Sequence, residues 1–511
     1  MSAIGGDDRS LGGDRSPGGQ SSPGTGAPAA ASSSVATFGP LASTLVCAGC
    51  GASPDPRDPY PFRCPNAGSG DVDHVLRRHL VADSVAFPAP ADAAAEPNPY
   101  LAYRAMFHAY HLARAGGMSD EEYRDLVAGL DEAVAGVDGH GFVATPFARA
   151  AALSERLGFA ADGGVWVKDE TGNVSGSHKA RHLFGLLVHL EVVERLGLAD
   201  PAHRPHLAIA SCGNAALAAA VVAAAGRRVL DVFVPVDADR VVVDRLAALG
   251  ANVSVIPREP GVPGDPTYHA LKRALAEGAL PFTCQGNENG LAVEGGFTLG
   301  YEIATASAGA PATGGGAGQA RGSGQASGTG LGGRGLDALV IQVGGGALAS
   351  AVMESLDEAA RLGALGRVPR FHAVQTQGAW PLPRAFERLS DRLPPGAGPE
   401  ERRSTVAYAS THRSAFMWPW EAEPHSVAHG ILDDETYDWV AIVEGLLATG
   451  GGTVVVDEDR LVAANRLAVE TTGIDADETG SSGLAGLMAL RGQGAIGEHE
   501  RVGVLFTGVR R

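Results

Sequence analysis

The chain reads as an α/β protein whose parallel sheets are covered by helices on both faces. Two observations predict this class. From Asp138 onward short apolar runs alternate with helix-like segments, and no fixed-period repeat interrupts them. The first run, 165–167, is a buried strand followed by a turn rich in Gly, Asn and Ser. A helix-like pattern comes next, with Leu183, Phe184, Leu187, Leu190 and Val193 on one face. Leu207–Ala210 is a strand, and Asn214–Ala225 a helix built almost entirely of Ala, Val and Leu. Strands follow at 229–234 and Asn252–Ile256, separated by a helical stretch at 238–249. Residues 271–276 are helical, 281–284 form a short strand and 291–303 a helix. The pattern closes with strand 338–343, helix 348–361, strand Arg370–Thr376 and an apolar run at 502–506. Ahead of this region, 100–114 and 120–135 are helical and are expected to pack on the core and to supply a homodimer surface.

At 511 residues the chain has room for roughly two to four domains and a large core. Residues 1–40 are mostly Gly, Ser, Pro, Ala and Asp, so a disordered tail is expected there. Residues 306–335 read as a Gly-rich surface insertion. The net charge of −18 argues against nucleic acid or an anionic membrane as a partner, because both select basic patches. No apolar run reaches the roughly eighteen residues needed to span a bilayer. Asp7 and Asp8, with no apolar stretch behind them, do not suit a signal peptide. Five cysteines in so long a chain do not make a secreted disulfide scaffold, and the cytoplasm is the expected compartment.

Residues 41–64 hold Cys47-Ala-Gly-Cys50-Gly and then Arg63-Cys64-Pro65. A C-x-x-C-G knuckle is a common half of a zinc site, but a structural site needs four ligands. A fourth would have to be His74 or Asp71, and 66–70 supplies no second pair. Free thiols at Cys47, Cys50 and Cys64 are therefore preferred to zinc.

The segments that carry chemistry lie at the C-terminal ends of strands, where such sheets place ligands. Lys179 sits at the mouth of a helix, just after Ser175 and Ser177. The positive end of the helix dipole and a partly dry pocket favour a neutral amine there, the form Schiff-base chemistry requires. This points to pyridoxal phosphate. Ser211 and Gly213 expose backbone N–H groups at a helix start, which suits a carboxylate. Asn214 either hydrogen-bonds a phenolic oxygen of the cofactor or caps the helix. Gly344, Gly345, Gly346 and Ala347 lie between a strand and a helix and can wrap an anion. Thr507, at the end of the last run, offers a neutral hydroxyl to a pyridine nitrogen, with Ser481 and Ser482 as alternatives.

Taken in order, S-G-S-H-K-A-R, S-C-G-N-A, G-G-G-A-L and the terminal L-F-T-G resemble the fold-type II pyridoxal-phosphate enzymes. That group contains threonine synthase, the serine/threonine dehydratases, cysteine synthase and the tryptophan synthase β chain. The resemblance covers residues 140–511. It implies a catalytic region at 138–511 made of two α/β subdomains, the smaller at roughly 186–290, preceded by a Cys-knuckle and helical segment at 41–137. It implies that Lys179 carries the cofactor and shuttles the α-proton, and that Asn214 contacts the ring hydroxyl. Gly344, Gly345, Gly346 and Ala347 would bind the phosphate, Thr507 the ring nitrogen, and Ser211 with Gly213 the substrate carboxylate. Glu294-Gly295 resembles the E-G segment of threonine synthases.

Some positions depart from the pattern. His178 stands where the group usually has Phe, Tyr or Ile, and it either packs or acts as a second acid/base group, with packing preferred. Lys179-Ala180-Arg181 and the Gly344 segment are dehydratase-like, whereas the cysteine knuckle and 211–215 lean towards threonine synthase. The expected activity is a lyase that abstracts the α-proton of a small amino acid and eliminates, as serine/threonine dehydratases do. The alternative is a threonine synthase acting on O-phosphohomoserine, which needs a phosphate pocket. His182, Lys168 and Arg181 are near Lys179 in sequence for that role. A non-catalytic cofactor- or anion-binding protein is the reading from another class.

Overall fold

The computed structural model describes residues 38–510 apart from Ala82, 259–263, 309–330 and 332–333. Most of the expected tail and most of the expected insertion therefore lie outside the described residues. The strands are β1 (Ser43–Cys47), β2 (Leu76–Leu80), β3 (Phe147–Arg149), β4 (Gly164–Asp169), β5 (Leu207–Ala210) and β6 (Leu230–Pro235). They continue with β7 (Asn252–Ile256), β8 (Leu280–Pro281), β9 (Ala338–Gln342), β10 (Arg370–Thr376), β11 (Gly452–Val456) and β12 (Arg501–Phe506). One sheet has the order β11-β10-β9-β12-β4-β3, parallel throughout except for β3, which pairs antiparallel at the edge. A second, wholly parallel sheet runs β7-β6-β5-β8. A small antiparallel pair, β1-β2, completes the set.

Alternate side chains of the larger sheet feed two separate cores, the signature of a sheet buried on both faces. Trp166, Leu339, Ile341, Phe371 and Leu505 face one core. Val165, Val167, Val340, Val374, Val502 and Val504 face the other. The last strand, β12, lies in the middle of this sheet, with Val504 opposite both Val167 and Val340. The chain terminus is thereby delivered between the ends of β4 and β9. A third core gathers the smaller sheet, the helices Lys179–Arg195 and Asn214–Ala225, and residues from the N-terminal segment such as Leu45, Tyr100 and Leu112. Residues 41–137 share that core with the region that follows them.

Several local readings shift for identifiable reasons. The helix expected at 291–303 is two, Leu291–Gly295 and Phe297–Ala308. At the junction a side chain on Gly296 would strike the His182 ring, whose Nδ1 reaches Ala292 O at 2.8 Å. The strand expected at 281–284 is only Leu280–Pro281, although Phe282 still donates its N–H to Ala208 O at 2.9 Å. Helix 100–114 is broken into Pro99–Ala102, a 3-10 turn at Arg104–Met106 and His108–Ala115. Strands β1, β2, β3 and β11 were not anticipated; the first three are too short or too charged to stand out. No helix among the described residues is long and apolar enough to cross a membrane.

Candidate active site

Lys179 opens the helix Lys179–Arg195, and the turn before it is strapped to the end of β12. Val509 donates its N–H to Gly176 O at 2.9 Å, and Ser177 forms a bridge with Gly508. Thr507 O accepts both the His178 N–H, at 3.2 Å, and the His178 ring, at 3.1 Å. Only a ring N–H can serve a carbonyl, so the proton is on Nδ1. Burial, and then the charge of Lys179, holds the His178 imidazole well below its ordinary range, so the ring is neutral. It also packs edge-on against His182, with ring centroids 5.8 Å apart. His178 acts as a strap. The half-buried Lys179 makes no hydrogen bond or ion pair among the described residues, and Ser177 Oγ beside it is fully buried without a partner.

Thr507 Oγ1 accepts a 2.8 Å hydrogen bond from Gln342 Nε2, which also donates to Gly480 O at 2.8 Å. With its acceptor side occupied, the Thr507 hydroxyl keeps its own hydrogen to donate. Ser481 is differently placed: its hydroxyl donates to Asp477 O at 2.9 Å and accepts from Asn465 at 3.0 Å. Asn214 is the first residue of its helix rather than the cap, which is Gly213. Its amide lies 2.7 Å from where a side chain on Gly508 would begin, so the second sheet meets the first beside Thr507. Nothing lies within 4 Å of a side chain imagined on Gly213, leaving the 211–213 turn open. Residues 344–346 tolerate only glycine. A Cβ on Gly344 would enter the Asp433 carboxylate, one on Gly345 would lie 2.8 Å from the Tyr437 ring, and Gly346 has φ +108°.

No local pattern in the sequence marks Asp433. Its carboxylate lies against Gly344 and Gly345, just before helix Ala347–Arg361. Burial pushes its carboxyl up to about 6, against the pull of the Lys179 charge. Asp438 is held well above the carboxylate range by burial, and then by the charges of Asp73 and Glu354. Behind the lysine lies a sealed ionic cluster. Arg181 donates to Glu170 at 2.7 Å and to Glu302 at 2.6 Å, and Lys168 pairs with Glu302. Arg181 and Lys168 are completely buried. Burial, and then the Lys179 charge, lowers the His182 ring to about 3. Glu294 accepts from Arg78 at 3.1 Å and from the His108 N–H at 2.6 Å, and so belongs to the packing of the N-terminal segment.

Residues 140–508 match the family model described as pyridoxal-phosphate dependent enzyme. The chain belongs to that family. It is 23% identical over 172 residues to a threonine synthase of Methanocaldococcus jannaschii, a match spanning 34% of this chain and 36% of that protein. It is also 23% identical to a threonine synthase of Methanosarcina acetivorans, over 71% of this chain and 74% of that one. In fold it is similar to threonine deaminase isoform 2 of Solanum lycopersicum, with TM-score 0.51 and 17% identity over 78% of this chain and 92% of the other.

The family's cofactor fits the residues present. A free amine (Lys179), a hydroxyl with a hydrogen to give (Thr507) and a glycine turn lying against a carboxylate (that of Asp433) gather beyond the C-terminal ends of the central strands β4, β12 and β9. Lys179 would carry pyridoxal phosphate, 344–347 would take its phosphate, Thr507 the ring nitrogen and Asn214 the ring hydroxyl. Two expected results follow. Thr507→Val should weaken cofactor binding by about fivefold to tenfold, the worth of one hydrogen bond of order 1 kcal/mol; an unchanged dissociation constant in an absorbance titration would remove Thr507 from the site. Asp433 is anionic above about pH 6, where it opposes a phosphate on Gly345. Asp433→Asn should therefore tighten cofactor binding several-fold, of order 1 kcal/mol, at mildly alkaline pH, with a smaller gain below pH 6. Weaker binding at both pH values would show that the carboxylate helps to hold the cofactor.

Proposed function

We propose that the chain is an ammonia-lyase that removes water and then ammonia from a serine- or threonine-like amino acid. The observation that carries this reading is the state of the basic residues nearest Lys179 in sequence. Lys168 and Arg181 are sealed in ion pairs with Glu170 and Glu302, and His182 is neutral. A phosphorylated leaving group needs mobile charged donors, and these three residues cannot supply them. A β-hydroxyl makes no such demand.

When bound, pyridoxal phosphate withdraws electron density from the substrate Cα and so lowers the cost of losing its proton. The protein supplies the rest. N–H groups of the open 211–213 turn, at the start of helix Asn214–Ala225, orient the substrate carboxylate. The Lys179 amine takes the Cα proton. Thr507, a neutral donor, leaves the ring nitrogen unprotonated and moderates its electron demand. Loss of the β-hydroxyl as water leaves a 2-amino-alkenoate, whose hydrolysis gives the 2-oxo acid and ammonia. The substrate is a small amino acid, and a homodimer is part of the same proposal.

The test is a panel on the cofactor-loaded protein: 2-oxo acid release from L-serine and L-threonine beside phosphate release from O-phosphohomoserine. Oxo-acid release with no phosphate release is expected. The relatives named threonine synthase favour the second outcome, phosphate release, which would overturn the lyase reading. Turnover of none of the three would leave a cofactor-binding protein.

A further inference from the structure

The β1-β2 pair joins a long irregular segment, 48–75, whose local apolar cluster among the described residues is Cys47, Cys64 and Leu76 with Ala52 and Ala67, while Phe62 packs into the main core. That local cluster is small for a segment of this length. What the fold gathers there instead is ligand atoms. The sulfurs of Cys47, Cys50 and Cys64 and a ring nitrogen of His74 all lie within 4.8 Å of one another. Cys47 Sγ is 3.6 Å from His74 Nδ1, and Cys50 Sγ is 3.5 Å from Cys64 Sγ. A tetrahedron with Zn–S of about 2.3 Å and Zn–N of about 2.0 Å has S···N edges of about 3.5 Å and S···S edges of about 3.8 Å. These two separations are close to the edges of such a shell, and the other four lie within 4.8 Å.

The surroundings are arranged for the same purpose. His74 Nε2 lies 2.9 Å from Ser69 O, a carbonyl that only an N–H can serve. That places the proton on Nε2 and leaves the Nδ1 lone pair facing the sulfurs, the usual outer-shell device of metal-bound histidine. Asn66 donates its backbone N–H to Cys64 Sγ at 3.3 Å and its side-chain amide to Cys50 Sγ at 3.6 Å, contacts that stabilise thiolates. Gly51 takes a left-handed φ of +73°, which turns the chain directly after Cys50.

We infer that Cys47, Cys50, Cys64 and His74 form a structural zinc site. Three thiolates and an imidazole make a soft, four-membered set that suits zinc, and with every position taken by protein no vertex is open for catalysis. Metal uptake releases the thiol protons. The site anchors the segment to the catalytic body. On either side of His74, Asp73 holds Arg413 and Trp439 at 3.2 Å each, while Arg77 and Arg78 enter ion pairs with Glu354, Glu444, Glu294 and Glu358. Sequence reading preferred free thiols because His74 lies ten residues past Cys64 with no paired ligand; the β1-β2 register sets Cys47 opposite Leu76 and so brings His74 alongside.

Elemental analysis of the full-length chain, purified in reductant without chelator after growth with zinc, should find one zinc per chain. Cys50→Ser combined with Cys64→Ser should reduce this to background, whereas Cys212→Ser and Cys284→Ser should leave it unchanged. Because the double variant can misfold, Co(II) titration of the wild-type chain provides a second readout. Thiolate-to-cobalt charge transfer and intense tetrahedral visible bands should appear in the difference spectrum and vanish on addition of zinc. A wild-type chain that stays zinc-free after reconstitution, zinc content unaffected by the double variant, or a mass short of two hydrogens from a Cys50–Cys64 disulfide would each overturn the site.

Discussion

Lys179→Ala is expected to abolish covalent attachment of pyridoxal phosphate and to lower turnover by about a thousandfold or more, the range of a positioned proton-transfer group with its covalent role added. The visible absorbance of the bound cofactor should disappear, and borohydride should no longer fix the cofactor to the chain. The fold should survive, because the Lys179 amine makes no hydrogen bond or ion pair among the described residues. The helix behind it is held by Leu183, Phe184, Leu187 and Leu190, all at most 1% exposed. A variant that keeps the absorbance band and a borohydride-stable adduct would place the reactive amine elsewhere. Loss of the band with unchanged unfolding behaviour would identify Lys179.

The largest stability effect should come from Arg181→Met. Arg181 compensates the buried Glu170 and Glu302, and truncating one partner of a buried ionic set leaves the others unpaired, at a cost of about 3–5 kcal/mol. The urea midpoint should fall accordingly, and Glu170→Gln in the same chain should recover part of the loss because the two effects are coupled. The pH dependence follows from Glu302. Burial raises its pKa, but Arg181 and then Lys168 overcome this and hold it below 4.5. A carboxyl with a depressed folded pKa contributes stability that is present above its unfolded value and lost as pH falls through the folded one. Without Arg181 that contribution shrinks, so the deficit should be greatest near neutral pH and diminish in acid, where the Glu302 carboxyl takes up a proton. A deficit that grows towards acid, or a midpoint unchanged at neutral pH, would refute the assignment.

Much of the site was legible because its parts are local. A strand, a small-residue turn and a helix occupy adjacent positions at Lys179, at Asn214 and at the 344–347 glycines, and period and composition reveal them directly. Thr507 was readable for the same reason, as the residue after an apolar run. Arg181 was not. Its sequence neighbourhood suggests a charged group near the reactive lysine, but Glu302, its partner, is 121 residues away, and that pairing turns a candidate phosphate ligand into buried structure. Asp433 was equally hidden, since nothing in I-L-D-D-E-T-Y-D indicates that one carboxylate will sit on Gly345.

Side-chain chemistry and hydrophobic period, both carried by neighbouring residues, were enough to establish an α/β class and to nominate Lys179 and the 344–347 glycines as candidates. Tertiary structure alone decided which charges stay free. It set β12 between β9 and β4, strapping the Lys179 turn to Thr507 through His178. It also sealed Lys168 and Arg181 against Glu170 and Glu302, and folded His74 onto Cys47. The physical reason is the same in each case. Whether a charged or metal-binding group is available depends on its partners and its access to water, and both are set by contacts between residues far apart in the chain.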